Sequence, residues 1–597
     1  MTTPKWSQAI SKRRVDENLN RRSMADTGRA PKSCRFPWLL SLLMVLCHLP
    51  PSASCSQPQS VANGPVVHVA SGQLRGMLQG GTAVFLGIPY AAPPVGALRW
   101  REPQPPASWA GVRDATKPGS ACVQSEAGVG TFIKPLAATY GETFNIVPVS
   151  SSEDCLYLNA WAPDWPHKTR LPVMVWLHGG SNRVGSGTED SYDGSALASH
   201  GVIVVTLNYR LGVLGFFAHP ELTAESPHHS SGNYGLLDQI AALKWVQQNI
   251  GEFGGDPDNV TLFGESAGSI DATTLMASPL SKNLFRRVIA ESGPAFGLGT
   301  ERTVAYMEPL GVAIGKEVGV QAGSQIETLS KLPAAVIVQI EDRLIASQFK
   351  GYDPNASVVD GWVLPQSPAK AFASGTIQKV DLLAGLNARE FSAFRIGAEA
   401  AQKKAGQPAK KAGVGEQVKQ FADVTRPLYG NWTDVAVATY MGRILMHGAS
   451  ALDQATNDIL AACPTGAEAA LVTNAGQRAF VYRFERTIPG AGESTLGAFH
   501  ALELPYVFDT FQARTWSWLK FTPTDHKLSS VMQSYWTNFA KSGDPNGPGL
   551  PGWTAWNQDK EPYIVFGQNG DAVPGKNFPP IFCHLSPNRL KQQLGNN

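Results

Sequence analysis

Short, continuous runs of apolar residues alternate along the chain with a segment whose apolar residues recur at helical spacing. Because continuous apolar runs are typical of parallel strands buried on both faces, five of them are predicted to be strands. Residues 233–250 lie between the second and third runs and are predicted to form a helix. This alternation predicts an α/β fold with a mostly parallel central sheet flanked by helices. The predicted strands are 172–177, 202–207, 260–263, 381–384 and 480–484.

The N-terminal region has the pattern of an export signal. Residues 1–36 are rich in Lys and Arg, and residues 37–49 form an apolar run that contains no charged residue. This run is shorter than the roughly 20 residues that a membrane-spanning helix needs, so no integral membrane span is predicted. Small residues, Ser52 and Ser54, follow it at the position that signal peptidases prefer.

We therefore predict a signal peptide with a long basic start over residues 1–54, and a secreted or periplasmic mature protein over residues 55–597. Two alternatives stay open at this stage. Met24 is a second candidate for the true start in place of Met1, and Cys55 is a candidate lipid-anchored residue of a bacterial lipoprotein.

Composition and charge exclude several classes of protein. With 43% hydrophobic and 16% charged residues, the chain is neither disordered nor a coiled coil. The net charge is +2, but the first 36 residues carry nine basic and three acidic side chains, so the remainder is acidic. This argues against a nucleic-acid partner. Residues 401–419 are predicted to be a charged surface loop, and no linker divides the mature chain into independent domains.

A candidate nucleophile follows the third predicted strand. Residues 264–268 read Gly-Glu-Ser-Ala-Gly and precede a segment that can continue as a helix. In a G-x-S-x-G turn between a strand and a helix, the serine hydroxyl stands exposed at the carboxyl edge of the sheet. The context therefore favours Ser266 as a nucleophile over an ordinary serine in a glycine-rich turn.

Candidate oxyanion donors follow the first predicted strand. Residues 178–181 read His-Gly-Gly-Ser, and glycines let backbone N–H groups approach a substrate closely. We predict that Gly180 and Ser181, with Ala267 after the nucleophile, donate to the tetrahedral intermediate. The alternative is a simple tight turn.

Several further stretches carry a family resemblance that covers nearly the whole mature chain. With these stretches and the serine motif, the sequence resembles the type-B carboxylesterase family, the cholinesterase-like branch of the α/β-hydrolases. The resemblance implies an α/β-hydrolase fold with one large catalytic domain and long surface insertions. The matching stretches are 85–100, 152–159, 233–239, 253–257 and 543–548.

The resemblance also implies the rest of a catalytic triad. The family's acid maps to Glu390 and its histidine to His500, and with Ser266 they occur in the chain order of α/β-hydrolases. The residues alone leave the choice open, since Glu503 or Asp381 could serve as the acid. The implied mechanism passes through an acyl-enzyme and needs no metal or organic cofactor.

The remaining family positions have lesser expected roles. The family's first disulfide maps to Cys122 and Cys155, whereas Cys463 and Cys583 stay unassigned. Glu265 resembles an acid that shapes the electrostatics of the site. Ser292 resembles a serine that lies behind the catalytic residues in the family.

Two departures from the family bear on the substrate. Choline-binding members use a tryptophan between the first two cysteines, and residues 122–155 contain none. A polar run, Ser181, Asn182 and Arg183, follows the paired glycines. We predict that Arg183 binds a free carboxylate of an anionic ester, such as a tricarballylate ester of a mycotoxin. The alternatives are that Arg183 faces solvent or forms an ion pair within the protein.

The sequence is compatible with three functions. The first is a secreted esterase acting on a small-molecule ester, with no prediction of its oligomeric state. The second is a lipase whose lid lies in residues 122–155, which are predicted to form a long loop. The third is a neuroligin-like binding protein, but such relatives lose triad residues and this chain retains all three.

Overall fold

A mostly parallel sheet forms the centre of the fold. The computed structural model describes residues 64–584 except 126–127, 148, 167–168, 297–301, 350–355, 405, 407–412, 431 and 448. The predictions for residues 1–54 and for Cys55 lie outside the described residues. The strands of the described part are β1 (Val66–Val69), β2 (Gly72–Arg75), β3 (Met77–Gln79), β4 (Thr82–Pro89), β5 (Val112–Asp114), β6 (Ala121–Cys122), β7 (Ser151–Ser152), β8 (Tyr157–Ala162), β9 (Leu171–Leu177), β10 (Ile203–Leu207), β11 (Gly255–Glu265), β12 (Arg287–Glu291), β13 (Asp381–Asn387), β14 (Ala479–Phe484), β15 (Tyr563–Phe566) and β16 (Ala572–Gly575).

The main sheet follows the order β16-β15-β14-β13-β12-β11-β9-β10-β8-β4-β3. The seven strands from β15 to β10 pair in parallel, and the strands at both edges pair antiparallel. All five strands predicted from the apolar runs are present, which confirms the predicted α/β class.

Helices join and cover the strands. The helices of the described residues are α1 (Gly128–Thr139), α2 (Ser195–Ser199), α3 (Gly212–Gly215), α4 (Pro220–Glu225), α5 (Tyr234–Asn249), α6 (Ala267–Leu275), α7 (Val304–Glu317), α8 (Gln325–Ser330), α9 (Ala334–Ser347), α10 (Pro368–Ser374), α11 (Glu390–Lys404), α12 (Val414–Tyr429), α13 (Trp432–His447), α14 (Ala449–Asn457), α15 (Cys463–Asn474), α16 (Glu493–Leu496), α17 (Leu504–Phe508) and α18 (Pro523–Ser542). The predicted helix over 233–250 corresponds to α5.

Apolar cores lie on both faces of the sheet because successive side chains of a strand point to opposite sides. In β9, Val173 and Val175 join the core that contains the buried residues of α5, whereas Met174 and Trp176 join the core that contains those of α18. The central strands are therefore buried on both faces, and the segments that follow their carboxyl ends start from this packed sheet.

Two segments predicted to be loops contain helices. Residues 122–155 include α1, which packs against α11. Residues 401–404 end α11 and residues 414–419 begin α12, so only part of the predicted charged loop is outside a helix. Both predictions underestimated the helix content, because packing between helices outweighs the weak helix propensity of glycine and proline.

Two disulfides join distant parts of the chain. Cys122 pairs with Cys155, as the family resemblance implies. Cys463, at the start of α15, pairs with Cys583, which resolves the two cysteines left unassigned by sequence. Among the described helices, none has the length and apolar character needed to cross a membrane.

Candidate active site

Ser266 lies in the sharp turn between β11 and α6. Its backbone has φ 55° and ψ −122°, a conformation that is strained for a residue with a side chain. The neighbouring glycines are required because a larger residue would clash with nearby backbone. A Cβ on Gly268 would lie 2.0 Å from the carbonyl oxygen of Leu177, and one on Gly264 would lie 2.6 Å from backbone atoms of Gly268. The predicted strand–turn–helix context of the motif is therefore present.

The other candidate residues follow neighbouring parallel strands at the same edge of the sheet. The segment 178–181 follows β9, Ser292 follows β12, Glu390 follows β13, and His500 lies in the connection after β14. Since β9, β11, β12, β13 and β14 are parallel, their carboxyl ends meet at one edge. This topology brings residues that are far apart in sequence to one site.

His500 and Glu390 form a buried hydrogen-bonded pair. The Nδ1 atom of His500 lies 2.6 Å from Oε2 of Glu390. The second oxygen of Glu390, Oε1, accepts a hydrogen bond of 2.6 Å from the backbone N–H of Asn387. The backbone N–H of Glu390 donates to the side chain of Asn457 at 2.9 Å. The carboxylate is thus held from both sides in one orientation toward the imidazole.

The other ring nitrogen of His500 faces a different carboxylate. Its Nε2 atom lies 3.1 Å from Oε1 of Glu265, the residue before Ser266. No hydrogen bond joins the hydroxyl of Ser266 to His500 in the part of the chain that the structure describes. Both residues nevertheless line the same two cavities, so the serine and the imidazole face a common space.

These two cavities have different linings. The first, of about 210 Å³, is bordered by Asn182, Asp271 and Ser292 together with apolar residues. The second, of about 150 Å³, is bordered mainly by aromatic and aliphatic side chains, including Phe132 and Trp516, and also by two glutamates. Ser266 lines both cavities.

The predicted oxyanion donors border these cavities. Ser181 lines both of them, Gly180 lines the apolar one and Ala267 lines the other. None of their three backbone N–H groups donates to another described residue. Gly180 has φ 105°, a value that favours glycine. The donors are therefore available to a ligand beside Ser266.

Comparison with known proteins places the chain in a family. The model of the carboxylesterase family matches residues 63–578. The chain belongs to the carboxylesterase family. It is accordingly a carboxylic ester hydrolase with an α/β-hydrolase fold, as the resemblance implied.

Individual carboxylesterases are similar over most of their length. The chain is 37% identical over 508 residues to a fumonisin B1 esterase of Sphingopyxis macrogoltabida, covering 83% of this chain and 85% of that protein. It is 36% identical over 518 residues to a human cocaine esterase, covering 83% of this chain and 87% of that protein. A crystal structure of the carboxylesterase EST55 of Geobacillus stearothermophilus superimposes with a TM-score of 0.71 at 30% identity, covering 89% of this chain and 100% of that one.

Carboxyl groups dominate the electrostatics of this carboxylesterase site. Burial alone would lower the pKa of His500, but the negative charges of Glu265 and Glu390 raise this pKa to about 9. Burial raises the pKa of Glu265 to about 7, an effect that His500 opposes. Burial also raises the pKa of Glu503 to about 8. The surroundings thus stabilise the imidazolium, the form that a histidine base reaches after accepting a proton.

The structure distinguishes the three acids, Glu390, Glu503 and Asp381, between which the residues alone left the choice open. Glu503 is buried, but it accepts hydrogen bonds from Ser292 at 3.3 Å and from the side chain of Asn387. Glu390, in contrast, is the acid in contact with Nδ1 of His500. Asp381 is paired with Arg478 at the opposite, amino end of β13.

Arg183 does not border the catalytic cavities. Its guanidinium forms an ion pair with Asp342, and neither cavity includes it among the described lining residues. Of the alternatives open from sequence, the ion pair within the protein is the one observed, which corrects its expected place beside the substrate. The neighbouring Asn182 does line the first cavity and is buried.

Several residues of the site were not predicted from the sequence, among them two aromatic residues beside His500 and a buried carboxyl group. The rings of Phe394 and Phe132 lie 4.9 and 6.4 Å from the imidazole of His500, centroid to centroid. Asp271 lines the first cavity as a buried carboxyl group. Only the fold brings these side chains together. The described residues contain no group of three or more His, Cys, Asp or Glu side chains that could hold a metal ion.

Proposed function

We propose that this carboxylesterase hydrolyses its esters with Ser266 as nucleophile, His500 as general base and Glu390 as the acid that orients the base. The hydrogen bond between Glu390 and His500, beside cavities that His500 shares with Ser266, carries the proposal. Gly180, Ser181 and Ala267 are the proposed oxyanion donors.

The mechanism follows from this arrangement. His500 turns its Nε2 from Glu265 to the hydroxyl of Ser266 and takes its proton as the oxygen attacks the ester carbonyl. The negative charge on the carbonyl oxygen is stabilised by backbone N–H groups, each worth roughly 3–4 kcal/mol of barrier. The protonated His500 gives its proton to the leaving alcohol. Water, activated by the same histidine, then releases the acid from the acyl-enzyme.

Covalent labelling tests the proposed nucleophile. Incubation with a fluorophosphonate is expected to add one phosphonyl group per chain, found on Ser266 by mass spectrometry of peptides. Prior treatment with a slowly hydrolysed ester should delay the labelling, because the two compete for the same hydroxyl. A folded sample that hydrolyses esters but carries the label on another serine would contradict the assignment.

An esterase is favoured over a lipase by the relatives of the chain, which are named as esterases. Between the first two cysteines, Ile133 and Leu136 of α1 are buried, whereas Ile146, Val147 and Val149, which lie outside α1, are exposed. We therefore propose soluble esters as substrates, with saturation below their solubility limit.

For the acyl part of the substrate, we propose an ester that bears free carboxylates, such as a tricarballylate ester of a mycotoxin. Its support is the 37% identity to a protein named for its action on fumonisin B1. The contact of Arg183 with Asp342 removes the cation first assigned to this role. The charge preference of the site is measured by the ester series of the next subsection.

We also propose that residues 1–54 form a cleaved signal peptide and that residues 55–597 form the secreted or periplasmic hydrolase domain. The two disulfides support export, because structural disulfides persist mainly in oxidising compartments.

The pH dependence of hydrolysis is expected to report the charge beside His500. The free imidazole is the reactive form, so kcat/KM should rise with pH through the pKa of His500. Replacing Glu265 with Gln removes a negative charge that raises this pKa, so the rise should move to lower pH. The measurement is kcat/KM for a neutral ester between acid and alkaline pH.

The matched control is Glu468→Gln. Glu468 is also a buried carboxyl group, but it accepts a hydrogen bond from the backbone of Ala295 and borders neither catalytic cavity among the described residues. Its replacement should leave the pH profile in place. A profile that stays fixed in Glu265→Gln, or moves to higher pH, would contradict the assigned coupling.

A further inference from the structure

Asp271 is a buried carboxyl group of the substrate cavity to which the proposed mechanism gives no role. It lies in α6, four residues after Ala267, and both residues line the 210 Å³ cavity. Residues four apart occupy the same face of a helix, about 6 Å apart along its axis. Asp271 is therefore about one helical turn from a proposed oxyanion donor and is 1% exposed.

Two amide groups hold the carboxylate in place. Its Oδ1 accepts a hydrogen bond of 3.2 Å from Nδ2 of Asn182, and its Oδ2 accepts one of 2.6 Å from Nε2 of Gln239. The hydroxyl of Tyr209 lies 3.0 Å from Oδ1 of Asn182 and 2.7 Å from the carbonyl oxygen of His178, and it shares its one hydrogen between these two acceptors. A carboxylate has about four lone-pair positions, so the two bonds to Asp271 leave acceptor capacity unused.

No positively charged side chain among the described residues that border the cavities compensates the negative charge of Asp271. The described charged residues that border the two cavities are acidic apart from His500, and His500 is engaged by Glu265 and Glu390. Burial raises the pKa of Asp271 to about 7, and a cationic group of a ligand would favour the ionised carboxylate over the protonated form. A substrate group that carries a positive charge and N–H donors would balance the charge of Asp271 and would donate to its unused acceptor positions.

We propose that Asp271 is a specificity residue that binds a protonated primary amine of the ester substrate within this cavity. The inference rests on the proposed function, because it assumes that the ester group is held at Ser266. It names a substrate class for the same site: esters with an ammonium group several bonds from the ester carbonyl. It also differs from the choline site of the family, which depends on a tryptophan that residues 122–155 lack.

Binding to a protein that cannot turn over separates this inference from the proposed mechanism. In the Ser266→Ala background, calorimetry would compare aminobutyl butyrate with its methyl-terminated isostere, pentyl butyrate, and with the butyrate ester of hydroxypentanoic acid. A second series would place the same three end groups on the acyl chain. We expect the ammonium ester of one series to bind at least about tenfold more tightly than its neutral isostere, and the carboxylate ester of that same series to bind most weakly. The free carboxylates proposed for the acyl group concern the other half of the ester and do not compete for Asp271.

The deciding variant is Asp271→Asn in the same background. Asparagine keeps the size of the side chain, and the Gln239 amide can turn to accept from it, since Oε1 of Gln239 has no hydrogen-bond partner in the described structure. The preference for ammonium over methyl should fall to within about twofold, while binding of the neutral ester changes little. Asp271→Ser, which removes the carboxylate without an amide, should have the same effect on the preference.

Glu341→Gln is the matched control. Glu341 is a buried carboxyl group that accepts from the backbone of Val213 and borders neither catalytic cavity among the described residues. Its replacement should leave the ammonium preference intact. The inference is overturned if neither ester series shows that preference, or if Asp271→Asn and Asp271→Ser both retain it. Ester hydrolysis that survives in Ser266→Ala would instead refute the proposed function, whereas the ratios of binding affinity test Asp271 alone.

Discussion

Replacing Ser266 with alanine is expected to lower kcat for any ester substrate by about a million-fold, the loss seen when serine hydrolases lose their nucleophile. Without the hydroxyl no acyl-enzyme forms, so His500 and Glu390 have no proton to move. KM should change little, because the cavities and the oxyanion donors are retained. Single-turnover measurements with a chromogenic ester would give the rate of the first chemical step directly.

Ser269→Ala is the control for this variant. Ser269 lies three residues further along α6, is buried, and donates a hydrogen bond of 2.6 Å to the carbonyl of Gly293. Removing the Ser269 hydroxyl tests whether the loss of a buried hydroxyl in this helix is enough to disturb the site. The activity of Ser269→Ala should stay within about tenfold of that of the unmodified enzyme. A Ser266→Ala protein that is folded and loses less than about a hundredfold in kcat would contradict the nucleophile assignment.

The central fold was predictable because its elements have strong local patterns. The strand predicted over 172–177 is β9, Leu171–Leu177, and the helix predicted over 233–250 is α5, Tyr234–Asn249. Both elements are buried, so their composition reflects the sheet and its cover directly. Helix α1 was not predicted because its local sequence pattern is weak. It contains two glycines and Pro135, and its packing against α11, not its propensity, accounts for it.

The site was predictable only as far as motifs and family resemblance extend. Ser266 stands in a motif with a physical requirement for glycine on both sides, and the resemblance selected His500 and Glu390. Asp271 had no such signal, because its partners Asn182 and Gln239 come from other parts of the chain and meet it only in three dimensions. The pairing of Cys463 with Cys583 spans 120 residues and depended on the fold in the same way.

The triad acid offers a variant with a defined geometric consequence. In Glu390→Gln, the backbone N–H of Asn387, which now donates to Oε1 at 2.6 Å, should keep the new carbonyl oxygen in that position. The amide nitrogen would then face Nδ1 of His500 and donate to it. That contact forces the proton of the neutral imidazole onto Nε2, so the ring can no longer accept the proton of Ser266.

We therefore expect kcat to fall by about ten-thousandfold in Glu390→Gln with little change in stability or KM. Glu503→Gln is the matched control, because Glu503 is equally buried but accepts from Ser292 and Asn387. Its loss in kcat should be far smaller, since the tautomer of His500 is unaffected. Nitrogen chemical shifts of the His500 ring would report the tautomer in each variant. If Glu503→Gln lost more activity than Glu390→Gln, the acid of the triad would be Glu503, and the geometry around Nδ1 of His500 would have to change when substrate binds.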